Sequence, residues 1–430
     1  MKNFHKLPII YFLLLFCTGY SSAQSPNYRF DFHSHNSKAS GKTIHITPNC
    51  RYSSDRKFGY DLLSGTPKKG EPFCFSVQVP DGDYLVTVQI GSEKKKGNTT
   101  VRAESRRLFI ENMTTKPGEI RTKCFLIHKR SPRIDDTLSV KIKPREKGKL
   151  DWDDKLTFEI NGSAPALNTL SIEPISYKYT TLFLCGNSTV VNQDDEPWAS
   201  WGQMIPRFFS EKVCIANYGE SGESATSFIS SNRQKKVLSL VKPGDYVFVE
   251  FGHNDEKIKG PGKGPYTSFT EDMRTFVTET RKRGGIPVLI TPTERRLFTK
   301  DGTLQTTHGD YPDATRKLAA EEKTALIDLT ALTYTLYETW GQEASKQAFV
   351  HYPAHTFPKQ EKALADNTHF NPYGAYEIAK CVLQGICDNR LKIAQEIIDF
   401  EQFDPRTPDA IETFQWVRSP FIELEKPEGN

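Results

Sequence analysis

Two rhythms of apolar and polar positions divide this chain. From residue 27 to about residue 175, apolar side chains recur at every second position. Phe73, Phe75, Val77 and Val79 alternate with Cys74, Ser76 and Gln78, and Tyr84, Val86, Val88 and Ile90 resume the pattern after Pro80-Asp81-Gly82-Asp83. A two-residue period buries one face of a strand, so the spacing predicts a hairpin closed by the Pro-Asp-Gly-Asp turn. The same alternation occurs at Leu138, Val140 and Ile142, and at Leu156, Phe158 and Ile160. Several short strands separated by Gly, Pro and Asp turns predict an all-β sandwich.

Near Tyr177 the pattern changes to continuous apolar runs separated by helical periodicity. The runs cover 181–185, 213–216, 246–251, 286–290 and 325–329. Trp201, Met204, Ile205, Phe208 and Phe209 fall at helical spacing, and 269–282 and 372–387 read as longer helices. Such alternation of buried strands and helices predicts an α/β fold, a parallel sheet covered on both faces. At 430 residues the chain exceeds one ordinary core. The expected organisation is a β domain over 27–175, an α/β domain over 178–390, and a C-terminal extension over 391–430 packed on the α/β domain. No Pro/Ser-rich linker separates the first two, so they are expected to pack directly.

Charge and composition narrow the partners. Lys and Arg number 57 against 53 Asp and Glu, for a formal net charge of +4, and Lys94-Lys95-Lys96 is the one basic tract that stands out. That balance does not support a nucleic-acid partner. Lys2 and Lys6 precede a short apolar stretch, 7–17, and Ser21-Ser22-Ala23 supplies the small residues of a cleavage site. This reads as a signal peptide over 1–23, and the protein is expected to be secreted or periplasmic, with no membrane-spanning segment once the signal is removed. Cys17 also suggests lipidation, although Phe16 is a poor residue to precede a lipidated cysteine. Seven cysteines remain beyond the signal. Cys74, Cys124, Cys185 and Cys214 lie in apolar runs and read as small core residues. Metal readings are discounted: Asp31, His33 and His35 read as a solvated strand face, and Pro353 keeps His351 and His355 off a shared helical face.

Position singles out three polar segments. Ser188 follows the first apolar run, Gly222 the second and Asn254 the third. Ligands of open parallel sheets bind beyond the carboxyl ends of the strands, so the three segments are expected to converge. A serine hydroxyl needs a base and a stabilised oxyanion before it acts as a nucleophile. The N–H groups of Ser188 and Gly222 and the amide of Asn254 are suitable donors, and the helix expected to start at Ser188 adds a favourable dipole. His369 is the candidate base, and Asp366, three residues earlier, can accept from its ring and fix the tautomer. Singly, each has an ordinary structural role: Ser188 as a helix cap, Gly222 and Asn254 as turn residues, Asp366 as an N-cap. The role of His253 stays open. Together the segments supply the groups for acyl transfer through a covalent ester.

These segments, in this order, resemble the conserved blocks of the SGNH (GDSL-like) hydrolase superfamily over about residues 178–390. Finer details resemble its rhamnogalacturonan acetylesterase branch. They are Phe251-Gly252-His253-Asn254-Asp255, Thr291-Pro292 before Arg295-Arg296, Thr307-His308-Gly309 before Tyr311-Pro312, and Thr368-His369-Phe370 before Gly374-Ala375. The resemblance implies a three-layer α/β/α catalytic domain, preceded by a galactose-binding-like sandwich and using no metal or organic cofactor. It implies Ser188, His369 and Asp366 as catalytic residues, and Ser188, Gly222 and Asn254 as the oxyanion hole. The implied substrate is an acetylated acidic polysaccharide or oligosaccharide, rhamnogalacturonan from pectin, acted on by a monomer. The family's usual Asp is Asn at position 187. Two alternatives stand beside this reading: an esterase or lipase for another acyl ester, such as acetylated xylan, and a carbohydrate-binding protein whose hydrolase domain is silent.

Overall fold

Alternation decides which face of a strand is buried, but not which strand lies beside it. The computed structural model describes residues 27–32 and 43–421. The expected signal peptide with Cys17, and the histidines His33 and His35, lie outside the described residues. The N-terminal strands are β1 (Tyr28–Asp31), β2 (Thr43–His45), β3 (Phe58–Asp61), β4 (Phe73–Gln78), β5 (Gly82–Gly91), β6 (Gly97–Ala103), β7 (Arg107–Thr115), β8 (Ile120–Lys129), β9 (Lys155–Ala164) and β10 (Leu167–Pro174). They form two five-stranded sheets, ordered β2-β1-β10-β5-β8 and β3-β4-β9-β6-β7. Phe30, Val86, Val88 and Leu170 of the first meet Phe75, Val77, Leu156 and Phe158 of the second in one apolar core. Full burial of a side chain such as Phe75 or Phe158 stabilises by about 1.5–3 kcal/mol relative to exposure.

The hairpin expected between β4 and β5 does not form. β4 pairs with β3 and β9, whereas β5 pairs with β8 and β10. Pro80-Asp81-Gly82-Asp83 instead carries the chain from one sheet to the other. Periodicity reports the buried face of each strand, and both faces-inward patterns are satisfied across the shared core. Leu138, Val140 and Ile142 form no named strand. Their segment wraps the α/β region, where Val140 enters the core and Lys141 N–H donates to Ser231 O at 2.9 Å. Cys124 is exposed, because the first half of edge strand β8 has no layer over it, and all seven described cysteines are free.

The second region contains β11 (Thr180–Gly186), β12 (Val213–Asn217), β13 (Tyr246–Glu250), β14 (Ile286–Ile290) and β15 (Ala325–Ile327). Their order is β12-β11-β13-β14-β15, with every pair parallel. The helices are α1 (Trp201–Met204), α2 (Ala225–Ser230), α3 (Arg233–Leu240), α4 (Thr270–Lys282), α5 (Tyr311–Glu322), α6 (Leu329–Ala344) and α7 (Pro372–Asp388). Leu182, Leu184 and Phe248 share a core with α1, α6 and α7, while Phe183, Cys185 and Val249 share another with α2 to α5. Consecutive residues of one strand thus serve opposite faces, which is why these runs read as continuously apolar. The chain leaves β11 for β12 on one flank and then crosses to β13 on the other. That reversal of strand order opens a crevice at the carboxyl ends of β11, β12 and β13. No helix among the described residues is long and apolar enough to cross a membrane.

The two regions pack directly. Leu108 of β7 joins the core around Leu182 and Trp201, and His128 of β8 bonds Asp83 and Tyr218 at 2.6 and 2.9 Å. The chain after α7 packs on the α/β region, as expected, and also reaches the two-sheet region. Tyr373 Oη donates to Asp409 O at 2.7 Å, while Asn112 and Asn161 of the two-sheet region donate to Gln415 O and Arg418 O at 2.7 and 2.8 Å. The buried amide of Asn161 needs an acceptor, and the extended tail brings a backbone carbonyl to it.

Candidate active site

Ser188 stands in the turn that follows β11, and no helix starts there. The next helix is α1, whose N-cap is Ser200. The turn is built by Asn187, whose Oδ1 accepts from Thr189 N–H and Thr189 Oγ1 at 3.0 and 2.9 Å. Its carbonyl accepts from the N–H groups of Val190 and Val191 at 3.1 and 3.0 Å. The expected helix-dipole contribution at Ser188 therefore gives way to an Asn-centred turn. Gly186 allows that turn to close, since a Cβ there would sit 2.5 Å from Val190 Cγ2.

His369 and Asp366 come from the two-stranded sheet of β16 (Phe349–Tyr352) and β17 (Leu364–Phe370). Phe349 faces Phe370, yet the adjacent Val350 faces Asp366, so residues 367–369 bulge out of the ladder. The bulge lets side chains three positions apart converge, which an unbroken strand forbids. His369 Nδ1 lies 2.8 Å from Asp366 Oδ2, and His369 Nε2 lies 2.8 Å from Ser188 Oγ. Asp366 Oδ1 accepts from the N–H groups of Thr368 and His369 at 2.9 and 3.0 Å. A carboxylate can only accept, so Nδ1 carries the ring proton and Nε2 presents its lone pair to the serine hydroxyl. Burial pushes the Asp366 carboxyl up, but hydrogen bonds to the His369 ring and backbone N–H groups outweigh it and hold the carboxyl well below the usual range. Ser188 and His369 are 3% and 1% exposed. A hydroxyl, a proton acceptor and a fixed negative charge are thus aligned where water has little access.

Gly222 and Asn254 lie in the loops after β12 and β13. Gly222 has φ +77°, a conformation that favours glycine. Asn254 Nδ2 donates to Glu223 O at 3.0 Å, which joins the two loops and leaves the second amide hydrogen of Asn254 for another acceptor. Lys143 Nζ donates to Ser221 O at 2.6 Å, and Arg145 pairs with Glu220, so residues outside the sheet hold the Gly222 loop. Asp255 Oδ1 and Oδ2 accept from Ala225 N–H and Gly252 N–H at 2.8 and 2.9 Å, anchoring the start of α2 to the Asn254 loop.

His253, left open by the sequence, lies inside the fold at 2% exposure. Its Nε2 is 3.1 Å from Thr293 Oγ1, and its ring meets His308 edge-on at 4.3 Å. Burial, reinforced by electrostatic interaction with His308 and Arg295, holds this imidazole well below the usual histidine range, so it is neutral. His351 bonds Asn367 at 2.8 Å on β16, apart from His355, and among the described residues no group of three or more His, Cys, Asp or Glu could hold a metal ion. Sequence reading missed Glu250, the buried end of β13. Its carboxyl accepts from Trp201 Nε1 at 2.7 Å, lies 2.7 Å from Thr189 Oγ1, and is pushed up to about 7 by burial. An acidic residue inside the apolar run 246–251 was the available signal.

The chain matches the model of the GDSL-like Lipase/Acylhydrolase family over residues 184–375. It is 37% identical over 222 residues to the rhamnogalacturonan acetylesterase RhgT of Bacillus subtilis, a match covering 51% of this chain and 95% of that protein. It is 25% identical over 400 residues to YxiM, an uncharacterized esterase of Bacillus subtilis, covering 86% of this chain and 94% of that one. A crystal structure of YxiM covers 85% of this chain and 99% of its own, at 24% identity and a TM-score of 0.46. The chain belongs to the GDSL-like lipase/acylhydrolase family and is a carboxylic ester hydrolase.

Proposed function

We propose that the protein removes O-acetyl groups from a pectic polysaccharide, with rhamnogalacturonan as the preferred polymer. The observation that carries the chemistry is the Ser188–His369–Asp366 alignment, with both hydrogen bonds at 2.8 Å. Support for the substrate comes from the 37% identity to a rhamnogalacturonan acetylesterase. Ser188 Oγ attacks the acetyl carbonyl as its proton passes to His369 Nε2. Asp366 holds the ring and balances the imidazolium. Ser188 N–H, Gly222 N–H and the Asn254 amide receive the oxyanion. His369 then protonates the departing sugar oxygen, and water activated by the same ring releases acetate from Ser188. On this reading residues 178–390 are the catalytic domain, 27–175 a galactose-binding-like sandwich, and 391–430 an extension. The protein is secreted or periplasmic and works as a monomer.

The test compares acetate release from acetylated rhamnogalacturonan fragments with release from acetylated xylan. A higher kcat/KM on the pectic substrate is expected, and equal rates would remove the substrate assignment. A serine-reactive phosphonate should label the wild-type protein and leave Ser188→Ala unlabelled. Identical behaviour of the two, with no acetate released by either, would favour a carbohydrate-binding protein instead.

A further inference from the structure

One turn of the two-sheet region reaches the loop beside Ser188. Glu104-Ser105-Arg106 joins β6 to β7, and Glu104 and Arg106 there adopt φ of +55° and +57°. Non-glycine residues hold that conformation only where their surroundings impose it. Arg106, 4% exposed, donates Nη2 to the carbonyls of Gln193 and Trp198 at 2.8 and 2.9 Å. Its Nη1 lies 3.4 Å from Glu196 Oε1. Ser105 Oγ donates to Asp194 Oδ1 at 2.5 Å. Gln203 Nε2 donates to both Ser105 O and Gln193 O, at 2.7 and 3.0 Å.

The two carbonyls gripped by Arg106 mark the ends of a loop that touches both sides of the relay. At one end, Gln193 Nε2 donates to Ser188 O at 2.8 Å. At the other, Ala199 N–H donates to Phe370 O at 2.9 Å, one residue from His369, and Trp198 Nε1 lies 3.5 Å from Asp366 Oδ2. A buried guanidinium is costly to desolvate, so an apolar side chain would serve better if packing were the only need. A planar guanidinium, however, holds the two hydrogens of Nη2 at a fixed angle and so fixes two carbonyls at once.

We infer that Arg106 is a positioning residue, through which the two-sheet region sets the separation of Ser188 from His369. The inference rests on the reading of these two as nucleophile and base. The two-sheet region is thereby a working part of the site.

The test uses the whole chain with Arg106→Gln and Arg106→Lys. On p-nitrophenyl acetate, Arg106→Gln should lower kcat about tenfold or more, as expected of a small misplacement, with KM nearly unchanged. The phosphonate labelling of Ser188 should slow in parallel while its final extent stays complete, which separates misplacement from unfolding. Arg106→Lys, which keeps the charge without the planar donor group, should recover only part of the rate. If Arg106→Gln folds poorly, Ser105→Ala removes only the Asp194 bond and should show a smaller loss of the same kind. A readout independent of turnover is the downfield proton resonance of the His369–Asp366 hydrogen bond, assigned by its loss in Asp366→Ala. It should shift or broaden in Arg106→Gln. Wild-type labelling rate and an unmoved resonance in the Arg106 variants would overturn the inference, whereas failure of the hydrolase reading would show as wild type matching Ser188→Ala.

Discussion

The bracing that surrounds the sheets and the site at the sheet's edge both bury charge, but with different partners. Around the two-sheet region several buried carboxylates meet guanidinium groups, beside Lys129 near Asp81 and His128 near Asp83. Arg102 meets Glu159 at 2.8 Å, Arg130 meets Asp151 at 3.0 Å and Arg233 meets Glu146 at 2.5 Å. At the site the buried carboxylate of Asp366 faces an imidazole. A guanidinium keeps its proton at any relevant pH, so those pairs are permanent. An imidazole can give up and regain its proton near neutrality. Burial therefore locks the guanidinium pairs and leaves the imidazole at the site chemically responsive.

Removing the responsive partner should have the largest effect. Ser188→Ala and His369→Ala should each lower acetate release on the order of 10⁴-fold or more. Their urea unfolding midpoints should stay near wild type, because neither substitution exposes a core. Asp366→Ala should cost less than either if a water orients the ring.

Removing a permanent partner should reverse that pattern. Arg102→Met leaves Glu159 buried without its cation, and a broken buried pair costs about 3–5 kcal/mol. Equilibrium unfolding in urea should show this loss, while kcat of the folded fraction stays close to wild type. Equal stability with lost activity would erase the distinction between the regions.

The donor side of the site comes next. Asn254→Ala should lower kcat on the order of 100-fold, as expected for loss of an oxyanion donor. A fully active variant would remove Asn254 from the mechanism.

The smallest expected effect is a slope with pH. Burial pushes the carboxyl of Glu104 up to about 8, and those of Glu250 and Glu377 up to about 7. These groups keep their protons in the folded protein while the unfolded chain releases them near pH 4. Stability from them is fully present below that pH and falls as pH rises toward 7 to 8. Asp83 runs the other way. Burial raises its carboxyl, but electrostatic interaction and hydrogen bonding with His128 prevail and lower it to about 2, so its contribution is lost only in strong acid. Urea midpoints measured from pH 4 to 9 should therefore peak in mild acid. Glu250→Gln should flatten part of the decline, and an unchanged slope would show that Glu250 is already ionised.

Much of the site was legible because its parts sit at predictable places. Ser188, Gly222 and Asn254 each follow a continuously apolar run, and such runs end at the carboxyl edge of a parallel sheet. Asp366 and His369 were legible as a pair by spacing. The bulge that makes the spacing work was not, since it depends on where β16 stops pairing. Arg106, Gln193 and Trp198 gave no signal, because an arginine in a turn and isolated residues of an irregular loop carry no period that would mark them.

By itself the sequence determined which residues face inward, where the two rhythms meet and which reactive groups follow the strands. These are local properties, set by backbone period and side-chain polarity over a few neighbours. Only the tertiary structure decided that β4 and β5 join different sheets, that the tail crosses both regions, and that a turn of one region grips the loop beside Ser188. Those outcomes depend on which distant surfaces fit and on where buried hydrogen-bond groups find partners, and neither is written in any single stretch of chain.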